Sequence, residues 1–311
     1  MESQIASAVL MIMPVRFESN PHTAESNKFQ GKNTSTPDQQ QRDAAAEFAG
    51  LAEALTDAGV RVIQIADTKE PHTPDAIFPN NWISFHADGT VVLYPMEAPN
   101  RRTERRQDII DSLVAEYGYQ VSNIVDLSPH EAQGQYLEGT GSLVLDRANR
   151  IAYACMSSRT HLDALGDFAQ RMDYEVLAFD AVDSEGAAIY HTNVLMNVGE
   201  QLAVICAAAI VRPEQREAVL RSLRDSGHDV IMLTFAQMDA FAGNMLELRS
   251  ASGERVVAMS EQARCALDGA QLAKISANGI IVSAPISNIE SSAGGSVRCM
   301  LAEIHLQHEI K

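Results

Sequence analysis

The sequence is poor in basic residues and has no long apolar run. Lys and Arg number 24 against 41 Asp and Glu in 311 residues, a formal net charge of −17. That balance argues against a nucleic-acid backbone or an anionic membrane surface as partner, since both select a basic face. No apolar stretch approaches the roughly 20 residues that span a bilayer. The early apolar run Ala8–Met13 follows Glu2 rather than a basic region and reads as a strand, not a leader. Without a leader, Asn33-Thr34-Ser35 is expected to be a chance match to the N-glycosylation pattern.

Cysteine is also scarce. Cys155, Cys206, Cys265 and Cys299 are scattered, with no CxxC pair and no zinc spacing. That excludes a disulfide framework and a structural zinc site, and points to a reducing cytoplasm. Cys155, Cys206 and Cys265 fall in apolar strand or helix patterns and read as structural. Cys299 is different. It follows the small, Gly-rich run Glu290-Ser291-Ser292-Ala293-Gly294-Gly295-Ser296 and precedes an apolar tail expected to be a strand. Glycines let a backbone turn sharply and let a ligand approach. A cysteine at such a mouth is a candidate nucleophile, whereas an isolated one more often fills space.

Taken in order, residues 5–15 read as a buried strand. The polar segment 18–42 is too long for an ordinary connection and is expected to be a loop capping a cavity, with Asn20 or Phe29 able to reach a ligand. A helix is expected from Asp43 to Ala58, stopped by Gly59, followed by a strand over 60–65. The chain then repeats a strand-turn-strand-helix-strand unit. Its hairpins start at Asn81, Gly141, Asn193 and Asn244, and a half-unit starts at Gly295. The intervals are 60, 52, 51 and 51 residues. The helices are expected near Thr103–Tyr117, Thr160–Met172, Pro213–Gly227 and Ser260–Leu272. Val204, Ile205, Ile231, Met232 and Val257 are expected in the core.

This regularity in order and spacing argues for a radial or stacked α/β repeat. Four full units lie between hairpins, and the two ends of the chain supply a fifth, so residues 1–311 are expected to close one ring as a single domain. In such a ring the hairpin-opening residues face the axis. That brings Glu138 (in Glu138-Gly139-Thr140-Gly141), His191 (in His191-Thr192-Asn193) and Cys299 around one cavity. A thiolate nucleophile, a base near neutrality and a carboxylate to support it form a coherent set.

At these residues the chain resembles the guanidino-group-modifying enzymes of the pentein superfamily, whose members include arginine deiminases, dimethylarginine hydrolases, amidinotransferases and citrulline-utilisation hydrolases, the last being the most similar. The resemblance covers essentially the whole chain and implies a five-bladed α/β propeller of ββαβ units. It implies Cys299 as nucleophile, His191 of the H-x-[DN] motif as acid and base, and Glu138 of E-G-x-[DG] as its partner. Further matches are Pro74-Asp75-Ala76-Ile77-Phe78-Pro79-Asn80-Asn81, Arg101-Arg102-Thr103-Glu104 and Ser157-Ser158-Arg159-Thr160. They imply Asp75, Asn81 and Asn193 around the planar reacting group, and Arg159 and Arg101 on the substrate carboxylate, a task suited to a planar donor fork.

The deiminases carry carboxylates where this chain has Asn81 and Asn193. An amide offers donor and acceptor and no charge, which suits a neutral ureido group, or a site that handles arginine and then citrulline. The implied activity is a cysteine hydrolase cleaving the C–N bond of a ureido or guanidino group in a free amino acid, with no metal or organic cofactor. Amidinotransfer and arginine or dimethylarginine deimination are the alternatives. A non-enzymatic ribosome-binding role, known on the same fold, predicts no axial Cys–His–Glu set. The expected partner is a small amino acid, not nucleic acid or membrane; a homodimer is compatible with the sequence.

Overall fold

The computed structural model describes residues 2–24, 26–31 and 35–308. Asn33 and Thr34 of the glycosylation pattern lie outside the described residues. Five three-stranded sheets make up the β structure. In each, the middle strand pairs antiparallel with an inner strand and parallel with an outer one reached through a helix. In the first, Ala8–Met13 lies between Ala302–Glu303 and Arg61–Ala66. Strands Ile83–Phe85, Thr90–Leu93 and Asn123–Asp126 make the second, and Val144–Asp146, Ile151–Cys155 and Glu175–Phe179 the third. The fourth has Met196–Val198, Leu202–Ile205 and Asp229–Met232, the fifth Leu246–Arg249, Arg255–Ser260 and Ile280–Ala284. This is the pentein propeller, and the two ends of the chain close it, with Val9 opposite Glu303 and Leu10 opposite Ala302.

The middle strands are apolar almost throughout because both of their faces are covered. Val9, Leu10 and Met11 are fully buried, as are Ala203 and Ile205. The helices cover the sheets through one stripe each. Pro37–Asp57 buries Gln40, Ala44, Phe48, Leu51, Ala52 and Leu55, at helical spacing. It begins six residues before the expected Asp43. Thr36 caps it and Pro37 takes its first turn, a start signal that outweighs the polar composition of Gln39–Gln41.

Other differences have equally local causes. The expected helix Ser260–Leu272 is two helices, Glu261–Ala266 and Gly269–Asn278, because Asp268 forms a capping box with Gln271 that restarts the chain. Ile275 and Ser276 are therefore helical. Thr103 and Glu104 belong to the 3-10 turn Pro99–Glu104, and the helix starts at Gln107. Residues Ser287–Ala293 form a helix ended by the left-handed Gly294, so most of the run leading to Cys299 is helical rather than an open loop. Met232, expected in the core, is 49% exposed on an outer strand. Cys265 is exposed rather than structural, while Cys155 and Cys206 are buried.

The most consequential difference concerns the hairpin starts. Before each inner strand the chain makes a helical turn: Pro79–Asn81, Gly139–Ser142, Thr192–Leu195 and Val297–Met300. In the remaining unit the Asn244 N–H closes a turn on the Phe241 carbonyl at 2.8 Å. Neighbouring turns pack against one another around the axis. Cys299 thus sits on a turn, not in a strand.

Candidate active site

The axial turns are stitched together before any site chemistry begins. The Glu138 N–H donates to the Arg159 carbonyl at 3.2 Å, and Ser142 Oγ donates to the same carbonyl at 2.8 Å. Thr192 Oγ1 donates to the Ser142 carbonyl at 2.5 Å and accepts from the Cys155 N–H at 2.8 Å. Glu138, Arg159 and His191 are therefore fixed relative to each other by backbone. Gly139 is needed here: its φ is +46°, and a Cβ would lie 2.2 Å from the Asn80 carbonyl oxygen.

On this frame His191 Nε2 lies 2.9 Å from Glu138 Oε2, and the pair is buried. Arg159 Nη1 reaches the same oxygen at 3.4 Å and Arg101 Nη1 at 3.8 Å. Burial raises the Glu138 pKa, but Arg159, the His191 hydrogen bond and Arg101 outweigh it and hold the carboxyl well below its usual range. Burial drives His191 down to about 4, past the opposing pull of Glu138. At neutral pH the carboxylate is ionised and the imidazole neutral. An ionised carboxylate only accepts, so Nε2 carries the hydrogen and Nδ1 is the free base.

Cys299, only 4% exposed, lines the same cavity as His191. Asp75, Asn81, Arg101 and Arg159 also line it, as do Thr23 and Asn27. The free space is about 10 Å³, close to what one water molecule takes. Two lining groups are unpartnered. Asp75 Oδ2 accepts from Asn20 Nδ2 at 2.6 Å, but its Oδ1 has no hydrogen bond among the described residues. Asn81 Oδ1 accepts from Arg101 Nη1 at 2.9 Å, which leaves its Nδ2 without a partner among the described residues. Arginine only donates, so this amide orientation is dictated. The cavity therefore offers one carboxylate acceptor and one amide donor.

A family model for N,N dimethylarginine dimethylhydrolase, eukaryotic, matches residues 13–306. The chain belongs to this dimethylarginine hydrolase family. No curated protein sequence matches it. Solved structures share the fold at low identity. ArgZ, an arginine dihydrolase from the ornithine-ammonia cycle in cyanobacteria, has 18% identity and a TM-score of 0.71 over 95% of this chain and 40% of its own. A mutant of AgrE with L-arginine has 20% identity and a TM-score of 0.72 over 96% of this chain and 40% of its own. A dimethylarginine dimethylaminohydrolase adduct with S-methyl-L-thiocitrulline has 12% identity and a TM-score of 0.64, over 98% of this chain and 100% of its own. The chain thus spans about 40% of the length of ArgZ and AgrE.

The structure places the other expected residues as follows. Arg101, expected on a substrate carboxylate, lines the cavity with its donors engaged by protein groups. Its Nε lies 3.0 Å and its Nη2 2.9 Å from Glu104, and its Nη2 reaches the Asp75 and Phe78 carbonyls at 3.4 Å. The R-R-x-E match is thus a self-contained ion pair that orients Asn81. Asn193 does not line the cavity; its Nδ2 lies 3.5 Å from Cys299 Sγ. Phe29 packs on Tyr190 and Phe241 and does not line the cavity either. Asn20 touches Asp75 from outside it. Arg159 does line it, with Nη2 2.8 Å from Ser26 Oγ and its guanidinium over the Tyr190 ring. Asn244, used above only as a period marker, lies 3.3 Å from Cys299 Sγ through Nδ2. The 51-residue step from Asn193 to Asn244 was the available signal for it.

Proposed function

We propose that the chain, acting as one domain over residues 1–311, is a cysteine hydrolase of arginine-type C–N bonds that accepts citrulline. One observation carries this reading: Cys299, the neutral His191 and the unpartnered Asp75 Oδ1 meet in one cavity. Asp75 suits the N–H edge of a planar guanidino or ureido group. The free Asn81 Nδ2 suits a ureido oxygen, because a guanidinium would set donor against donor there. Arg159 suits the α-carboxylate, which would replace Ser26 Oγ and the Thr23 carbonyl on its guanidinium. Substrate entry requires the lining side chains to give way, Thr23 and Asn27 among them, since the free space is so small. A reducing compartment, the cytoplasm, suits the free cysteines.

The chemistry is then as follows. His191 Nδ1 takes the Cys299 thiol proton as the sulfur attacks the planar carbon. The C–N bond breaks, and the departing amine takes that proton from His191. Water, deprotonated by His191, attacks the thio-intermediate and releases the thiolate. From citrulline the first step frees ornithine, and the carbamate formed in the second decays to ammonia and carbon dioxide. Acid–base work of this kind contributes about 100- to 10,000-fold.

The family match favours a second reading, in which a methylated arginine is cleaved to citrulline and a methylamine. Both are tested together by incubating the protein with citrulline, arginine and dimethylarginine and identifying amine and amino-acid products, each against Cys299→Ala. Ornithine from citrulline supports the ureido reading. Citrulline from dimethylarginine, with citrulline itself untouched, supports the second. Wild-type activity in Cys299→Ala overturns both.

A further inference from the structure

Asn244 has no part in the motifs above, yet it is the group nearest to the reactive sulfur among the described hydrogen-bond partners. It is buried, on the only axial turn that supplied no residue to the proposed chemistry. Its orientation is fixed twice. The Arg298 backbone N–H, which can only donate, reaches Asn244 Oδ1 at 3.0 Å. The Asn193 carbonyl, which can only accept, takes Asn244 Nδ2 at 3.0 Å. The second Nδ2 hydrogen is left for Cys299 Sγ at 3.3 Å. The amide oxygen lies farther away, at 3.7 Å, and is already engaged. Asn193 Nδ2 adds another donor at 3.5 Å.

The fixed Asn244 donor, with Asn193 Nδ2 beside it, stabilises negative charge on the sulfur, because hydrogen bonds to the charged form favour it. The charged or titratable groups that share the cavity are Asp75, Arg101, Arg159, Tyr190 and His191, and none of them hydrogen-bonds to Sγ among the described residues. His191 spends its Nε2 on Glu138. We infer that Asn244 is a positioning residue: by donating its amide hydrogen to Sγ it holds Cys299 in place and supports the negative charge that develops on sulfur as the thiol proton passes to His191. This rests on the reading of Cys299 as the nucleophile, but its test needs no substrate.

The measurement is the pH dependence of Cys299 alkylation by iodoacetamide in the full chain. The modified peptide is followed by mass spectrometry, because exposed Cys265 reacts as well. In Asn244→Ala the alkylation midpoint should rise by about one pH unit or more. In Asn244→Asp it should rise further, since a carboxylate oxygen then faces the sulfur. Loss of packing would not produce that order. Asn244→Ser, small and polar but too short to reach the sulfur, should behave like the alanine variant and stands in for a variant that fails to fold. A midpoint unchanged in the folded variants overturns the inference, even if the wild type turns over substrate. A shifted midpoint upholds it, even if citrulline and dimethylarginine are both refused.

Discussion

The Nε2 of His191 lies 2.9 Å from Oε2 of Glu138, and Arg159 approaches that same oxygen at 3.4 Å. One buried carboxylate therefore fixes the tautomer of the base and neutralises the arginine assigned to the substrate. Glu138→Gln removes the charge at nearly constant shape. It leaves Arg159 and Arg101 without their shared counter-charge and lets the imidazole choose its tautomer. The expected result is a loss of at least about 100-fold in kcat, together with about 3 to 5 kcal/mol of stability. Steady-state kinetics and denaturant unfolding check both. Near-wild-type kcat would remove Glu138 from the mechanism.

The free face of the base is kept open by a glycine. A Cβ on Gly141 would lie 2.7 Å from His191 Nδ1 and 2.5 Å from Asn81 Nδ2. Gly141→Ala should therefore abolish turnover while costing about 1 to 3 kcal/mol of stability, the range for an overpacked interior. Cys299 should remain open to alkylation, since the methyl falls on the base and the amide. Activity within a few-fold of wild type would mean that His191 Nδ1 is not the working nitrogen.

Much of the ring was legible because it is a repeat. The evenly spaced Asn and Gly markers locate the axial turns, and apolar runs such as Leu202–Ile205 can only be strands covered on both faces. The turns themselves were not legible. Asn81, Gly141 and Asn193 read as strand starts, because one turn of helix is too short to show a period. Glu138, His191 and Cys299 carried chemical signals of their own type. Asn244 carried none, because a buried asparagine is defined by what it touches. The Arg101–Glu104 pair was not legible, because Glu104 lay within the same motif and was read as pattern rather than as a partner.

The burial of His191 has a consequence for stability. Below the usual imidazole value of 6.5 the unfolded chain takes up a proton, while the native chain resists until about 4. Stability should therefore fall as pH drops across that window. His86 and His305 are likewise pushed down, by burial and by the Arg147 charge, so the wild-type curve sums several residues. His191→Gln isolates one of them. Between pH 6.5 and 4 it should lose about 3 kcal/mol less than wild type. Urea unfolding at stepped pH measures the difference, and parallel curves would show that His191 titrates normally in the folded protein.

Arg159 is held at its Nη2 by Ser26 Oγ at 2.8 Å and the Thr23 carbonyl at 3.3 Å, both weaker partners than a carboxylate. Arg159→Lys keeps the charge and loses the fork. KM for amino-acid substrates should rise about tenfold or more, a cost near 1.4 kcal/mol, with kcat less affected. For a substrate analogue lacking the α-carboxylate, variant and wild type should converge. Equal KM values for the amino acid would move carboxylate recognition elsewhere.

Arg101 should behave in the opposite way, because its donors are taken by Glu104, Asn81 and backbone carbonyls. Arg101→Met strands the buried Glu104 carboxylate and should cost about 3 to 5 kcal/mol. Adding Glu104→Leu removes the stranded charge and should restore much of that stability, since a buried ion pair replaced by apolar residues is often neutral. Activity should not return with it. Without Arg101 the Asn81 amide is free to turn its oxygen toward the cavity, and the donor assigned to the ureido oxygen is lost. Unfolding and product analysis on the single and double variants separate the two effects. A double variant that regains both stability and citrulline cleavage would show that the orientation of Asn81 does not matter. One whose defect is confined to KM would return Arg101 to the substrate carboxylate.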